Sequence, residues 1–236
     1  MKPAFITTLA LSCAASALHA GGIDRSGQGV NILFEEGNFA QISLINLNPS
    51  VDGKGTGDGM GDHNNAAQSY TDPSLGYKHK VNDVLDIAFI YDQPFGAHIA
   101  YTNGLLAGGG ADITSDSITG LARYKLSNGL SVYGGLRGVK AGGTLTSSHG
   151  MLQADSGYAM GGVVGMAYEK PEIALRAALT YASGITTEMQ GFHNVAAARN
   201  FDVDFPESVN LDFQTGIAAD TLLFGSVRWV GWEGFN

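Results

Sequence analysis

The fold is decided by the stretch VNLDFQTGIAA, at residues 209–219. Val209, Leu211 and Phe213 lie on one side of the alternation, and Asn210 and Asp212 lie on the other. Side chains along a β-strand point alternately to opposite faces. The spacing therefore predicts a strand with one apolar face and one more polar face.

Two more stretches repeat this alternation. Residues 173–181 alternate large apolar residues with alanine, arginine and threonine, and residues 158–168 place a tyrosine at each end of an apolar face. At about 3.3 Å per residue, the two tyrosines lie roughly 33 Å apart along the strand. A tilted strand of this length spans a thin apolar band with an aromatic ring at each interface, which is typical of outer-membrane β-barrels. The strands of a soluble β-sandwich also alternate apolar and polar residues, but they are seldom this long.

The rest of the chain follows the same rhythm, with nine strands separated by alternately short and long connections. The predicted strands are residues 39–48, 71–80, 84–103, 115–126, 130–141, 157–168, 172–184, 208–219 and 222–233. Short turns fall near residues 82, 128, 170 and 220, and long loops cover 49–70, 104–114, 142–156 and 185–207. The pattern predicts an all-β fold, a transmembrane antiparallel β-barrel with its short turns on the periplasmic side and its long loops outside.

An odd strand count conflicts with closure of a barrel. Bacterial single-chain barrels have even strand numbers, and an unpaired strand edge in lipid is costly because its backbone groups find no water. We therefore expect the chain to be the N-terminal part of a longer barrel.

The third strand carries an anomaly at Asp92-Gln93-Pro94-Phe95-Gly96. Proline cannot donate a ladder hydrogen bond, and a neighbouring glycine relaxes the backbone. We expect an inward kink here. A tight turn that splits the segment into two short strands is the alternative.

The N-terminus and the composition exclude several classes of protein. Residues 1–20 predict a secretory signal peptide, with Lys2 before an apolar run and small residues before cleavage after Ala17 or Ala20. The only cysteine, Cys13, lies within this signal, so the remaining chain has no thiol for a disulfide or for catalysis. The formal net charge of −9 and the lack of a basic cluster argue against nucleic-acid binding.

Three stretches resemble the FadL-type outer-membrane transporters of long-chain fatty acids and other hydrophobic compounds. They are EGNF (36–39) leading to LNPSV (47–51), DQPFG (92–96) on the third strand, and FPESVNL (205–211) followed by WVGWEGF (229–235). The resemblance implies a fourteen-stranded barrel, of which residues 39–236 form about nine strands, behind a short N-terminal hatch at residues 21–38. It also implies lateral exit through a kink formed by Asp92, Pro94, Phe95 and Gly96. The family's Asn-Pro-Ala hatch motif is absent, since residues 30–33 read VNIL.

A transporter of this kind needs an apolar groove with a few polar groups. The third and fourth long loops supply candidate ligand-binding residues, with Arg199 as a possible partner for a carboxylate: Leu145, Met151, Leu152, Met189, Phe192, Val195 and Arg199. Packing of loop against loop would also explain the apolar members of this set. Four wall arginines, Arg123, Arg137, Arg176 and Arg228, are expected to point into the lumen.

The expected function is uptake of long-chain fatty acids or other hydrophobic compounds by a monomeric channel in the lipid of a Gram-negative outer membrane. We expect no cofactor and no metal site. An enzyme is disfavoured because the six histidines form no constellation with a serine nucleophile. A structural or adhesive barrel and a general porin remain alternatives, although both usually carry more charge inside than this chain offers.

Overall fold

The computed structural model describes residues 23–54, 61–62, 64–194 and 199–232. Its strands are β1 (Phe39–Leu47), β2 (Tyr70–Lys80), β3 (Leu85–Asp92), β4 (Gly96–Ala100), β5 (Gly110–Lys125), β6 (Leu130–Ser147), β7 (Gly150–Ser156), β8 (Ala159–Lys170), β9 (Leu175–Ala182), β10 (Ile185–His193), β11 (Arg199–Phe205), β12 (Ser208–Ala218) and β13 (Thr221–Val230). Short 3-10 helices cover Asn31–Phe34 and Pro171–Ile173. The signal peptide predicted at residues 1–20 lies outside the described residues.

One continuous antiparallel sheet forms the wall. Its strand order is β1-β2-β3-β5-β6-β8-β9-β12-β13, and β4 continues the line of β3 along β5. The nine strands predicted from the sequence correspond to these nine positions, which confirms the fold class. The sheet curls into an open half-barrel, and no pairing joins β1 to β13 among the described residues.

The connections alternate in length as predicted. The β5–β6 turn contains Asn128 and Gly129, and both have positive φ, at 62° and 78°. Asn-Gly is favoured in tight hairpins because both residues tolerate this conformation. A side chain on Gly129 would also collide with the backbone carbonyl of Glu169, whose amide donates a hydrogen bond to Gly129.

Two predicted loops are largely strands, which corrects the sequence interpretation. The segment 142–156 contains the end of β6 and all of β7, and the segment 185–207 contains β10 and β11. These strands pair in the order β6-β7-β10-β11 and form what we call the cap sheet, namely β7, β10, β11 and residues 142–147 of β6. Strand preference depends strongly on the pairing partner, and the partners of these strands are each other.

The outer face of the wall is apolar. Large hydrophobic side chains at alternate positions of neighbouring strands are exposed, among them Leu75, Phe89, Ile118, Leu136, Met160, Val164, Met166, Leu179, Leu211 and Val227. Tyr158 and Tyr168 are exposed beside them. A soluble protein rarely exposes so large an apolar surface, whereas the lipid-facing band of a membrane barrel has this composition between aromatic girdles. No helix among the described residues is both long and apolar enough to cross a membrane.

The inner face of the wall packs against the N-terminal segment. Val30, Ile32, Leu33 and Phe34 are buried against small and apolar inward-facing residues of β3, β5, β6, β8 and β9. Gly76, on β2, makes room for this segment, because a side chain at that position would collide with Ile32. Residues 23–38, which we call the inner segment, thus lie against the concave side of the sheet.

We predict that the same substitution destabilises the protein on the wall but not on a connecting loop. Leu136→Arg places a charge near the middle of the apolar band, where such a change costs about 2–4 kcal/mol. Leu105→Arg is the control, since Leu105 is similarly exposed, at 67% against 60%, but lies between β4 and β5. Urea titration of the protein folded in liposomes should show lower stability for the first variant only. Equal stability of the two variants would contradict a lipid-facing wall.

Candidate functional site

The wall is interrupted between β3 and β4. Asp92 pairs with Ser117 and Gly96 pairs with Thr114 on the same neighbouring strand. Between these pairs, β5 has two residues, Ser115 and Asp116, whereas the interrupted strand has three, Gln93, Pro94 and Phe95. The interruption therefore contains one inserted residue. We call Gln93–Phe95 the wall break. It is not a tight turn of the kind considered above, because β3 and β4 run in the same direction along β5.

The Pro94 carbonyl and the Phe95 amide and carbonyl form hydrogen bonds outside the strand ladder. The Ser115 hydroxyl accepts a hydrogen bond from the Phe95 amide at 2.8 Å and donates one to the Phe95 carbonyl at 2.7 Å. The Arg25 amide of the inner segment donates to the Pro94 carbonyl at 2.8 Å. The inner segment thus occupies the place that a regular neighbouring strand would have filled.

Side chains of the inner segment strengthen this contact. The Ser26 hydroxyl donates to Asp92 at 2.5 Å. The Arg25 guanidinium lies over the ring of Tyr70, 3.9 Å from its centroid, and fills the space that a side chain on Gly96 would need. Burial lowers the pKa of Arg25 below its ordinary value, against the opposing effect of Tyr70 and nearby carboxylates. A side chain at position 96 would displace the Arg25 guanidinium from this place.

A second set of polar contacts holds the start of the inner segment to the wall. Arg228 donates to Asp24 at 3.1 Å and to Asn210 at 2.9 Å, and the Asn210 amide donates to the Gly27 carbonyl at 2.8 Å. Burial raises the pKa of Asp24, while Arg228 acts in the opposite direction. Arg137, on β6, donates to the Gln28 side chain.

A buried ionic cluster holds the other end of the inner segment. Lys78 and Asp86 lie 3.2 Å apart, and Lys125 contacts the second oxygen of Asp86 at 2.8 Å. Lys78 also donates to the carbonyls of Glu35 and Gly37, at 2.8 and 2.9 Å. These contacts hold the backbone that leads into β1.

An aromatic ring of the inner segment lies among wall cations. The guanidinium groups of Arg123 and Arg176 lie 4.6 and 4.9 Å from the centroid of the Phe34 ring, and Tyr133 packs edge-on against it at 5.8 Å. Arg123 also pairs with Glu169. The four wall arginines therefore point inward, as predicted from the sequence, and three of them, Arg123, Arg137 and Arg228, bond to the inner segment.

An apolar cavity of about 210 Å³ lies between the cap sheet and the wall break. The surface that its lining residues present to it is apolar. Its walls come from β5, β6, β7, β10 and β11, from the inner segment and from the wall break, and include Phe95, Leu145, Leu152, Met189, Phe201 and Phe205. We call this space the cap cavity.

Phe95 connects the cap cavity to the wall break. Its ring is buried, stacks on Phe205 at 4.7 Å between centroids, and meets Trp232 edge-on at 6.2 Å. The same side chain lines the cavity. The inserted residue therefore places the Phe95 ring at the boundary between the cap cavity and the wall break.

The candidate ligand residues separate into two groups. Leu145, Leu152 and Met189 line the cap cavity. Met151 and Phe192 occupy exposed alternate positions, Arg199 is exposed at the start of β11, and Val195 lies outside the described residues. The predicted kink residues Asp92, Pro94, Phe95 and Gly96 all lie at the break. Sequence reasoning missed Phe201, Val203 and Phe205, although their spacing of two along 199–205 was a usable signal.

The comparisons with known proteins concern the fold. No family model matches the chain, and no curated protein matches its sequence. Among solved structures, the chain is similar to a Pseudomonas aeruginosa FadL homologue, at 13% identity and a TM-score of 0.56, over 83% of this chain and 59% of that one. A monoaromatic hydrocarbon channel, CymD, matches at 14% identity and a TM-score of 0.49, over 84% of this chain and 59% of that one.

The fold is therefore that of FadL-type β-barrels, as the resemblance in the sequence predicted. The chain spans 59% of the length of each of these two structures. Within the residues described here, no group of three or more histidine, aspartate, glutamate or cysteine side chains is arranged to hold a metal ion.

We predict that Lys78→Met destabilises the protein by about 3 kcal/mol, at the lower end for a broken buried ion pair because Lys125 stays beside Asp86. The variant also removes the donor to two carbonyls of the inner segment. Urea titration in liposomes measures the loss, and hydrogen exchange should increase at residues 33–38. Lys80→Met is the control, because Lys80 forms only an exposed ion pair with Asp83. Equal effects of the two variants would contradict the anchoring role of Lys78.

Proposed function

We propose that this protein is an outer-membrane channel for uptake of hydrophobic small molecules, and not an enzyme. The observation that carries the proposal is the cap cavity, an apolar space bounded on one side by the cap sheet and on the other by the wall break. Apolar cavities with few polar groups are the usual form of a binding site for such ligands. The fold shared with a FadL homologue supports the same class of function.

In this proposal the cargo leaves sideways. The lumen below the cavity is occupied by Val30, Ile32, Leu33 and Phe34, and the ionic cluster around Lys78 and Asp86 fixes the end of that segment. The wall break interrupts the sheet beside the cavity, and Phe95 lies at the boundary between the two. Movement of the Phe95 ring together with residues 24–26 would join the cavity to the outer face of the wall.

The inner segment then acts as a hatch. Its contacts with the break are local and include a backbone bridge of Asp24 with Phe95, the Arg25 amide on Pro94, the Ser26 hydroxyl on Asp92 and the Arg25 side chain beside Gly96. Its contacts near Lys78 and Arg123 are charged and buried. We therefore place the moving part at residues 24–26, where movement also has to break the ion pair of Asp24 with Arg228. Gly27 and Gln28 stay held by Asn210 and Arg137, and the fixed part lies at residues 33–37.

Filling the cap cavity should block uptake. Met189→Trp puts a larger side chain into the cavity, whereas Gln190→Trp, on the next residue of β10, points to the exposed face of the cap sheet. Uptake of a radiolabelled hydrophobic compound by cells that express each variant should fall at least about tenfold for Met189→Trp and stay near wild type for Gln190→Trp. Unchanged uptake with the filled cavity, at equal amounts of folded protein, would contradict the proposal that cargo passes through it.

Repairing the wall should block exit without removing binding. Replacing Gln93-Pro94-Phe95 by Thr-Phe deletes the inserted residue, so that the threonine faces Asp116 and the phenylalanine stays opposite Ser115. The repaired strand should bind ligand in the cap cavity but take up little. Deletion of Leu105, an exposed residue between β4 and β5, is the control for loss of one residue. Normal uptake by the repaired protein would remove the lateral route and leave the cavity as a binding site for another path.

A further inference from the structure

We propose that the side chain of Arg25 is the gate of the lateral route. Its guanidinium closes a gap between two wall strands beside the wall break, and rotation of the side chain out of this gap is the opening step. The proposal rests on the proposed channel function and assigns its gate to one residue. Three observations carry it: an interruption between two strands, a proline on each edge of that interruption, and the contacts that hold the guanidinium in it.

The ladder between β2 and the interrupted strand is open beside the wall break. β2 pairs with β3 only from Leu75 onward. Before β2 begins, Ala67 bridges to Ile99 on β4 in the same register. Between these two pairings, no ladder joins residues 69–74 to residues 92–97 among the described residues. We call this opening the side gap, and the wall break is the middle of one of its edges.

A proline on each edge keeps the side gap unpaired. Pro73 lies on the β2 edge and Pro94 lies in the wall break. The register on both sides of the gap would place Pro73 opposite Gln93 and Pro94 opposite Asp72. Proline cannot donate a ladder hydrogen bond and is confined to sheet edges for this reason. The two edges therefore do not join into a regular ladder, and the wall closes here only if another group fills the space.

Arg25 connects the two edges of the side gap. Its amide donates to the Pro94 carbonyl at 2.8 Å, and the preceding residue, Asp24, bridges to Phe95. These contacts fix its backbone to the edge formed by the wall break. Its side chain reaches the other edge, where the guanidinium lies 3.9 Å from the centroid of the Tyr70 ring. The residue thus spans the gap, with its main chain on one edge and its charged end on the other.

The guanidinium is held by an aromatic face and by the attraction of nearby carboxylates. Its Nε and Nη2 atoms are buried and form no hydrogen bond with a described residue, and Oδ1 of Asp72, on β2, is in the same situation. Asp72 and Asp112 attract the cation through space. A cation over a ring gains a modest free energy, and buried N–H groups without partners weaken the closed position. The side chain can therefore leave the gap at a modest cost, as a gate requires.

The side gap adjoins the cap cavity. Phe95, on one edge of the gap, and Ile23, two residues before Arg25, both line the cavity. Thr114, another lining residue, pairs with Gly96 on the same edge. Removing the guanidinium from the gap therefore uncovers the cavity from the side of the wall.

The first experiment measures access to the cap cavity without any cargo. The only native cysteine, Cys13, lies in the predicted signal peptide, so Ile113→Cys gives the processed protein a single thiol on the cavity lining. The protein is folded in liposomes, and its alkylation by N-ethylmaleimide, a small uncharged reagent, is followed by intact mass. We expect Arg25→Ala to raise the alkylation rate at least about fivefold, the order that loss of a partly desolvated cation–π contact gives.

Two further variants remove the guanidinium from the gap in other ways. Gly96→Ala displaces it, because a side chain at this position takes its space. Tyr70→Leu removes the aromatic face, whereas Tyr70→Phe keeps it. We expect Gly96→Ala and Tyr70→Leu to raise the alkylation rate and Tyr70→Phe to leave it unchanged. Arg25→Ala combined with Gly96→Ala should be no faster than the faster single variant, because both remove the same contact.

Matched controls use an arginine and a glycine outside the side gap. Arg199→Ala removes an exposed arginine on β11, and Gly162→Ala adds a methyl group where no other atom lies within 4 Å. Both should be alkylated at the rate of the Ile113→Cys parent. Equal rates for the parent, Arg25→Ala and Gly96→Ala, at equal amounts of folded protein, would overturn the gate. Equal acceleration in the two controls would overturn it as well, since the effect would then be a general loosening.

Uptake separates the gate from the proposed function. Cells that express Arg25→Ala, with and without Met189→Trp, are given a radiolabelled hydrophobic compound. Uptake that rises in Arg25→Ala and is lost when Met189→Trp fills the cavity would support both proposals. Uptake that is insensitive to Met189→Trp, together with faster alkylation, would overturn the channel and leave Arg25 as the side chain that closes the wall. Uptake that depends on the cavity but is unchanged in Arg25→Ala would overturn the gate and leave the channel in place.

Discussion

The hydrogen bonding of the wall break is the constraint on which the rest of the structure depends. In a sheet that faces lipid, each backbone amide and carbonyl needs a partner within the protein, because the hydrocarbon supplies none. One inserted residue and one proline remove the regular ladder between Asp92 and Gly96. Ser115 and the amide of Arg25 supply partners for the backbone of Phe95 and Pro94. The break is therefore stable only with a second segment lying against it.

This dependence links the inner segment to the cavity. The same residues that satisfy the break bring Ile23 and Phe95 into the apolar cluster under the cap sheet. The alternation of the cap strands then places apolar side chains toward that cluster and carboxylates toward water. The cap cavity, the inner segment and the wall break thus meet at one point, and each buries its apolar or polar groups against the others.

The wall could be predicted from the sequence because its outer and inner faces differ in chemistry at every second residue. The run from Val209 and the tyrosine-bracketed run from Tyr158 both became strands at the expected positions. The anomaly around Pro94 was also visible, since proline has a fixed consequence for a ladder. The inserted residue was not visible, because only pairing with Ser115 and Asp116 defines it.

The site was predicted less well than the wall. Residues 142–156 and 185–207 were predicted as long loops, whereas they contain strands whose stability comes from pairing with each other. Consequently Met151 and Phe192 were grouped with Leu152 and Met189, although adjacent residues of a strand point to opposite faces. The contacts of the inner segment with distant wall residues, such as Asn210 with Gly27, are set by the tertiary fold and have no local signal.

The central claim is that cargo passes from the cap cavity through the wall break, and mapping of its path by photolabelling tests that claim most directly. Cells that express the protein would take up an uncharged aromatic compound bearing a diazirine, and after illumination the labelled residues would be located by mass spectrometry. The account predicts labels at Leu152 and Met189 in the cavity and at Gln93 and Phe95 in the break. Labels that continue instead along the lumen to Phe34 and Lys78, with none at Gln93, would contradict it.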